Sequence, residues 1–549
     1  MRWTHKAAIA AGCATMLVTA SCSSSSTGTA SSSSAAATTS AAAGTSTAAG
    51  NSSPASSGAA GSSSPASSGA AGSSSPASSG AAGSSSPASS GAAGSSSPAS
   101  SGAAGSSSPA SSGAAGSSSG GSGTLAADPF LDKSDAGKTI NVLMVNNPQM
   151  LALQKHISAF TAQTGINVKF TVLPENDMRN KASLEFKNQA GQYDVTTLSN
   201  FEVPFYAKNG WLTPLSPYIA KDRGFDQADI FPALTSSLSE GGQVYGEPFY
   251  GESSFMMYRK DVFAAKGLTM PANPTWDQIA ELATKVDGAQ PGMKGICLRG
   301  QPGWGEMGGP FTTVVNTFGG TWFTKDWTAQ VNAQPFKDAA NFYINLLKAH
   351  GEVGASNAGF TECLSAMQQS KVAMWYDATS AAGSVEGAGS PVAGKVGYVQ
   401  APVKVTKHSG WLYAWSWMME KKVANPDAAW KFISWASSKQ YENLVGAADG
   451  WATLPSGKRA STYANANYTK AAAAFAPATL EALKNADPTN PGVQPRPTVG
   501  IQFVDIPEFT DLGDKVTAQL SAVIAGNGTV DAALEQGQAL ATTVAGNYK

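Results

Sequence analysis

An eleven-residue unit, GSSSPASSGAA, recurs without interruption and sets prolines at 54, 65, 76, 87, 98 and 109. A period of eleven can mark a right-handed coiled coil. This unit, however, has no apolar residue larger than alanine, and each copy carries a helix-breaking proline. Such a segment has nothing to bury and reads as a disordered tether. The same bias covers residues 23–137, almost all Ser, Ala, Gly, Thr and Pro, so a core can form only within 138–549. A flexible coil of that length reaches roughly 60 Å. It serves either as a spacer of required length or as a tolerated repeat expansion. Gly116–Gly120 reads GSSSG and formally fits a nucleophile elbow, yet it lacks the strand and helix that the motif needs.

Upstream, Arg2, His5 and Lys6 precede an apolar run from Ala7 to Val18, three small residues and then Cys22. This is the pattern of a secretory signal over residues 1–21, too short to span a bilayer permanently. Cys22 directly after small residues is similar to a bacterial lipobox, with Thr19 where an aliphatic residue is usual. A lipid on Cys22 would tether residues 22–137 to the membrane; the alternative is an ordinary secretory signal with an incidental cysteine. Cys13 leaves with the signal, so Cys297 and Cys363 remain in an oxidising compartment, either as a disulfide or as two buried thiols. With 36 basic and 37 acidic side chains there is no strong field to attract nucleic acid.

Residues 138–549 are too many for one typical core and suggest two lobes. Thr139–Val145 reads as an apolar strand. Met150, Leu153, Ile157 and Phe160 follow at helical spacing up to a stop at Gly165, and then Ile166, Val168, Phe170 and Val172 alternate as a second strand. Strand, helix, strand predicts a parallel α/β sheet. Thr275 and Gln278 fit a capping box, Asn425 and Pro426 an N-cap and first helical position, and Gly295–Leu298 and Val372–Tyr376 short strands.

The mature chain has three histidines, His156, His350 and His408, none in a metal-ligand spacing, and no phosphate-cradling glycine loop follows a strand. Neither metal nor cofactor is expected. Carboxylates alone can hydrolyse glycosides, which leaves a carbohydrate-active hydrolase as one rival and a non-transport surface lipoprotein as another. Loops beside strands collect carboxylates, amides, Arg and aromatics instead. The candidates are Asn147, Glu175, Glu202, Glu252, Arg299, Trp304, Asp377, Trp411 and Trp415. A hydroxyl-rich solute needs such partners, because charged groups make strong hydrogen bonds and aromatic faces cover its C–H surface. In α/β sheets these groups gather at the carboxyl ends of strands. Trp276, Trp430 and Trp435, on helices, read as core.

Segments in order along the chain then carry a likeness: GQYDV at 191–195, EVPFYAKNGWL at 202–212, PFYGESS at 248–254, YRKDVF at 258–263, PTWDQI at 274–279, GICLRG at 295–300, MWYDAT at 374–379 and GIQFVDIPEF at 500–509. With them, residues 138–549 resemble the family 1 extracellular solute-binding proteins of bacterial ABC importers, more closely the branch for sorbitol, mannitol and related polyols. The resemblance implies a type II periplasmic-binding-protein-like fold, two α/β lobes joined by a hinge. One lobe would take about 138–250 and 405–450, the other about 251–404 and 451–549, with crossings near Tyr250–Ser254 and Gly410. It implies a polyol or small sugar held in the cleft by Glu252, Arg299 and Asp377 above all. It also implies permease and ATPase partners, a place on the outer face of the cell membrane and a receptor acting as a monomer.

Overall fold

A computed structural model of the chain describes residues 128–498 and 501–549. The signal, Cys22 and the proline repeat lie outside the described residues. Among the described residues no helix is long and apolar enough to cross a membrane.

Among the described residues eleven strands occur in the order β1 Thr139–Val145, β2 Asn167–Leu173, β3 Val195–Ser199, β4 Ser239–Glu240, β5 Gln243–Val244, β6 Gly246–Glu252, β7 Ser254–Arg259, β8 Lys294–Cys297, β9 Val372–Ala378, β10 Val396–Gln400 and β11 Tyr413–Met419. They form a five-stranded sheet, β2-β1-β3-β11-β6, a four-stranded sheet, β10-β7-β9-β8, and a small hairpin of β4 and β5. Each large sheet is the centre of one lobe.

The opening strand, helix, strand unit follows its sequence pattern. β1 and β2 pair in parallel from Thr139 with Asn167 to Val145 with Leu173. Between them, the helix Pro148–Thr164 starts with Pro148 at its first position, where the missing N–H costs nothing. It stops at Gly165, whose φ of 73° and backbone bond to Thr161 O make a left-handed cap that any side chain would strain. β3, β6 and β11 are buried at every residue, which is why they read as continuous apolar or aromatic runs rather than alternating ones. The predicted capping box is present, with Thr275 and Gln278 bonding each other's backbone at the start of Trp276–Val286. Asn425 gives no side-chain cap, although Pro426 does open the helix Pro426–Ala436. Trp276, Trp430 and Trp435 are core residues. His156 and His350 each pair with a carboxylate, Asp449 at 2.7 Å and Asp287 at 3.0 Å.

The chain crosses from the first sheet to the second at Ser253, between β6 and β7, and returns between β10 and β11. Two boundaries differ from expectation. The folded region begins before residue 138: Leu131 is buried, and the ammonium of Lys431 reaches Asp132 at 2.6 Å and Asp135 at 2.8 Å. The first lobe also extends past residue 450, since Gly251 N–H donates to Ser456 O and Phe231 N–H to Lys458 O. The buried Arg459 adds bonds to the carbonyls of Phe225, Asp226 and Ser437. From the helix Ala476–Asn485 onward the chain packs on the second lobe, ending with Phe509–Ile524 and Val530–Ala545 against Gln334–His350.

A disulfide joins Cys297, the last residue of β8, to Cys363 in the helix Phe360–Gln368, with Cα atoms 5.7 Å apart. Glu352 lies beside it with its carboxyl pushed up to about 8 by burial. These three residues are a geometric candidate for a metal, but the disulfide leaves no thiolate to offer one.

Candidate binding cleft

Between the two sheets lies a narrow cavity, with about 30 Å³ open to the centre of a water-sized molecule. Its polar lining is organised around two arginines, one from each lobe.

Arg179 belongs to the first lobe. It sits one turn into the helix Glu175–Asn188, which begins directly after β2, so Glu175 and Arg179 share a face at i and i+4. Arg179 Nε donates to Glu175 Oε1 at 3.0 Å, Nη1 to Glu202 Oε1 at 2.6 Å, and Nη2 to the hydroxyl of Tyr413. Glu202 is closed off behind the arginine, since its other oxygen accepts from Ser199 N–H and the Ser199 hydroxyl. The guanidinium is stacked between two indoles, its centre 4.6 Å from the ring of Trp415 and 4.1 Å from that of Trp304.

Arg299 is the second-lobe counterpart, two residues beyond the disulfide cysteine. Its Nε donates to Asp377 Oδ2 at 2.9 Å and its Nη2 to Asp377 Oδ1 at 2.6 Å, a bidentate pair. Asp377, at the end of β9, also accepts from Trp375 Nε1 at 3.0 Å and Ala378 N–H at 2.6 Å. Four donors saturate it, so it faces the arginine and not the cavity. Glu306 adds a contact to Arg299 Nη1 at 3.3 Å. The ring centre of Phe360 lies 5.2 Å from the guanidinium carbon.

The sequence candidates therefore divide. Asn147, Glu175, Glu252, Arg299, Trp411 and Trp415 line the cavity. Glu202 and Asp377 stand behind it and orient the arginines. Trp304 is outside the lining and bridges the lobes: its backbone N–H donates to Asp514 Oδ1 at 2.7 Å in the second lobe while its ring covers Arg179 of the first. Residues not singled out from sequence complete the wall, chiefly Arg179, Tyr250, Ser380, Tyr413 and Gln502. Asn147 Nδ2 donates to the Tyr250 hydroxyl at 2.9 Å and the Ser380 hydroxyl donates to Glu252 Oε2.

Burial pushes the Glu252 carboxyl up to about 8, against the Ser380 bond and Arg299, which favour its ionised form. Glu306 is raised as well, by burial and by the charge of Glu175. At neutral pH a carboxyl such as Glu252 keeps its proton and can both donate to and accept from a hydroxyl. Each guanidinium is matched by carboxylates, so the cavity offers many hydrogen-bonding groups with little uncompensated charge. Trp411, two residues before β11, and Tyr413 and Trp415 at its start supply an aromatic wall.

The lobes meet at more than the cavity. Asn176 Nδ2 donates to Pro302 O at 2.9 Å, Gln149 Nε2 to Ser380 O at 3.1 Å, and Phe201 packs on Trp304 with ring centres 4.6 Å apart. Gly305 allows this approach, because a Cβ there would stand 2.5 Å from Glu175 Oε1 and 2.8 Å from Arg179 Nε.

Two α/β lobes closed over a polar, aromatic-walled cavity define a solute-binding protein of the two-lobed kind. Residues 146–443 match the family model of the bacterial extracellular solute-binding proteins, and the chain belongs to that family. It is 39% identical over 408 residues to a mannitol-binding protein of Pseudomonas aeruginosa, covering 74% of this chain and 92% of the relative. It is 28% identical over 328 residues to an erythritol/L-threitol-binding protein of Mycolicibacterium smegmatis, 56% of this chain and 68% of that one. A crystal structure of an ABC transporter solute-binding protein from Agrobacterium vitis S4, with bound D-mannitol, superposes with a TM-score of 0.73 at 42% identity, covering 75% of this chain and 99% of that one. The fold is the type II periplasmic-binding-protein-like one. The chain is an extracytoplasmic substrate-binding protein of the ABC transporter class, and its task is to bind a solute, not to transform it.

Proposed function

We propose that this protein captures a linear polyol of mannitol or sorbitol type, or a small sugar, by closing its lobes on it, and presents the closed form to the permease of an ABC importer whose ATPase drives uptake. The observation that carries this reading is the pair of arginine nodes, Arg179 with Glu175 and Glu202, and Arg299 with Asp377 and Glu306, facing one cavity from opposite lobes. Arginine forks match neighbouring hydroxyls, the carboxyls around them leave no uncompensated positive charge for an anion, and Trp411 and Trp415 cover C–H faces. A solute bridging both nodes binds the closed state better than the open one and raises its population by that difference. The names of the mannitol-binding relatives support the polyol class. On this reading a lipid on Cys22 and the repeat behind it hold a monomeric receptor near its transporter.

The test is a thermal-shift screen of hexitols, pentitols, erythritol and monosaccharides, followed by calorimetric titration of the hits. A ligand present at about 100 times its Kd stabilises the folded state by about 2.7 kcal/mol and must raise Tm. A monosaccharide or oligosaccharide that binds while every polyol fails would replace the polyol assignment, and no shift with any solute would end it.

A further inference from the structure

The stretch between the helices Ala476–Asn485 and Phe509–Ile524 adds Gln502 and Phe503 to the cavity wall. Packing accounts for Phe503, whose ring lies 5.6 Å from Trp304 and 5.7 Å from Phe201. Gln502 is different. Its side chain is 3% exposed, and its Oε1 has no hydrogen-bond partner among the described residues. A buried amide oxygen without a donor is unfavourable, and a fold that keeps one at the edge of a binding cavity leaves it for a donor that arrives with the ligand.

The backbone beneath this amide is pinned. Gln502 O accepts from Asn316 Nδ2 at 3.2 Å and from Arg496 Nη1 at 3.2 Å, while Ile501 O accepts from Arg496 Nη2 at 2.9 Å. One guanidinium thus clamps two successive carbonyls. A lysine ammonium would not span both carbonyls in the same way, because the guanidinium fork fixes two donors at a set separation.

We propose that Gln502 contacts the solute and sets which hydroxyl configuration the cleft accepts, and that Arg496 is the residue that positions it. The proposal rests on the polyol reading above. One edge of a carboxamide presents a donor beside an acceptor in a single plane, whereas the guanidiniums of Arg179 and Arg299 present donors alone. Two adjacent hydroxyls satisfy the amide when their relative configuration brings one hydrogen and one lone pair to it, and the epimer leaves one of its groups unpaired. Polar groups that are unpaired in the wrong complex are what give a binding site its discrimination.

The experiment is calorimetric titration of the folded protein with D-mannitol and with its C2 epimer D-sorbitol, for wild type, Q502L, R496A, R496K and Q502L/R496A, each first shown to melt cooperatively. Q502L is expected to weaken D-mannitol binding about tenfold or more and to bring the two affinities closer together. R496A should change the mannitol-to-sorbitol ratio in the same direction and have little further effect in the Q502L background, and R496K should restore less than half of the loss. If Q502L does not fold, Q502E, of the same size, must alter the ratio. A ratio and an affinity within about twofold of wild type in the Gln502 variants would overturn the contact, and an R496A effect undiminished on top of Q502L would overturn the positioning role. Wild-type protein that binds neither hexitol removes the polyol reading and this inference with it, whereas wild-type binding with unchanged variants removes the inference alone.

Discussion

Replacing Asp377 with asparagine removes one charge and almost no volume, so it isolates what this carboxylate does for Arg299. Each oxygen accepts from two donors: Oδ1 from Arg299 Nη2 and Ala378 N–H, Oδ2 from Arg299 Nε and Trp375 Nε1. Whichever position the new amide nitrogen takes, it faces two N–H groups that lose their acceptor. Arg299 then stays buried with one bond left to the asparagine oxygen, Glu306 at 3.3 Å as its contacting carboxyl and the carbonyl of Gly305 at 3.4 Å. Breaking a buried ion pair by removing one partner costs about 3 to 5 kcal/mol. For a folded region of this size that corresponds to a fall of about 3 to 6 °C in Tm. Differential scanning calorimetry with and without D-mannitol reads both consequences, the lower Tm of the free protein and a smaller ligand-induced rise, since a misaligned Arg299 binds less well. Glu202→Gln, the counterpart behind Arg179, should behave alike. A D377N protein that melts within about 1 °C of wild type and shows the same ligand shift would refute the view that the rear carboxylates organise the site.

Other consequences follow from single groups. Glu247 on β6 is buried with no partner for either oxygen among the described residues, and burial pushes its carboxyl up to about 8 from an ordinary 4.5. Because the folded-state value is the higher one, its contribution to stability is fully present below about pH 4.5 and is lost as the pH rises through 8. Melts between pH 5 and 9 should therefore show E247Q gaining on wild type as the pH rises, and equal slopes would discount the assignment. Exchanging both Cys297 and Cys363 for serine should cost about 4 kcal/mol through the long loop they close, and should also weaken ligand binding, because the bridge ends two residues before Arg299; urea melts and titration check the two parts separately. Leu131→Ala should destabilise by about 2 to 4 kcal/mol although it lies in a stretch of tether-like composition, and a neutral result in urea would mean that residues 128–137 do not clasp the first lobe.

Much of the fold was legible because local and tertiary demands agree. Thr139–Leu173 shows its strand, helix and strand through hydrophobic period and a glycine stop, and the capping box at Thr275 is written in two residues. The cavity lining was legible where an apolar strand runs straight into a charge, as at Glu252 and Arg299. It was not legible where orientation decides. Asp377 and Glu202 look like ligand groups in sequence, yet each has its lone pairs filled from behind, and nothing in a one-dimensional pattern counts lone pairs. Arg179 escaped notice because it lies inside a polar helix, although its spacing from Glu175 was the available signal. Around β11 the aromatic run is buried on both faces. Trp411, Tyr413 and Trp415 reach the cavity, whereas Trp417, beyond the register shift at Trp415 and Ser416, packs on Phe249 and Phe432.

Trp304 shows why closure and binding cannot be assigned to the same residues. Its indole lies over Arg179 from the opposite lobe, and with Phe201, the Asn176–Pro302 bond and the Gln149–Ser380 bond it forms a set of contacts that exist only while the lobes are together. These contacts stabilise the closed state whether or not a solute is inside, so they lower the fraction of binding energy that must be spent on closing. The groups lining the cavity act on the difference between closed and open through the solute, while Trp304, outside that lining, acts on the same equilibrium through its contact with Arg179. Affinity is then the product of two separable factors, the fit of the solute to the cleft and the intrinsic population of the closed form.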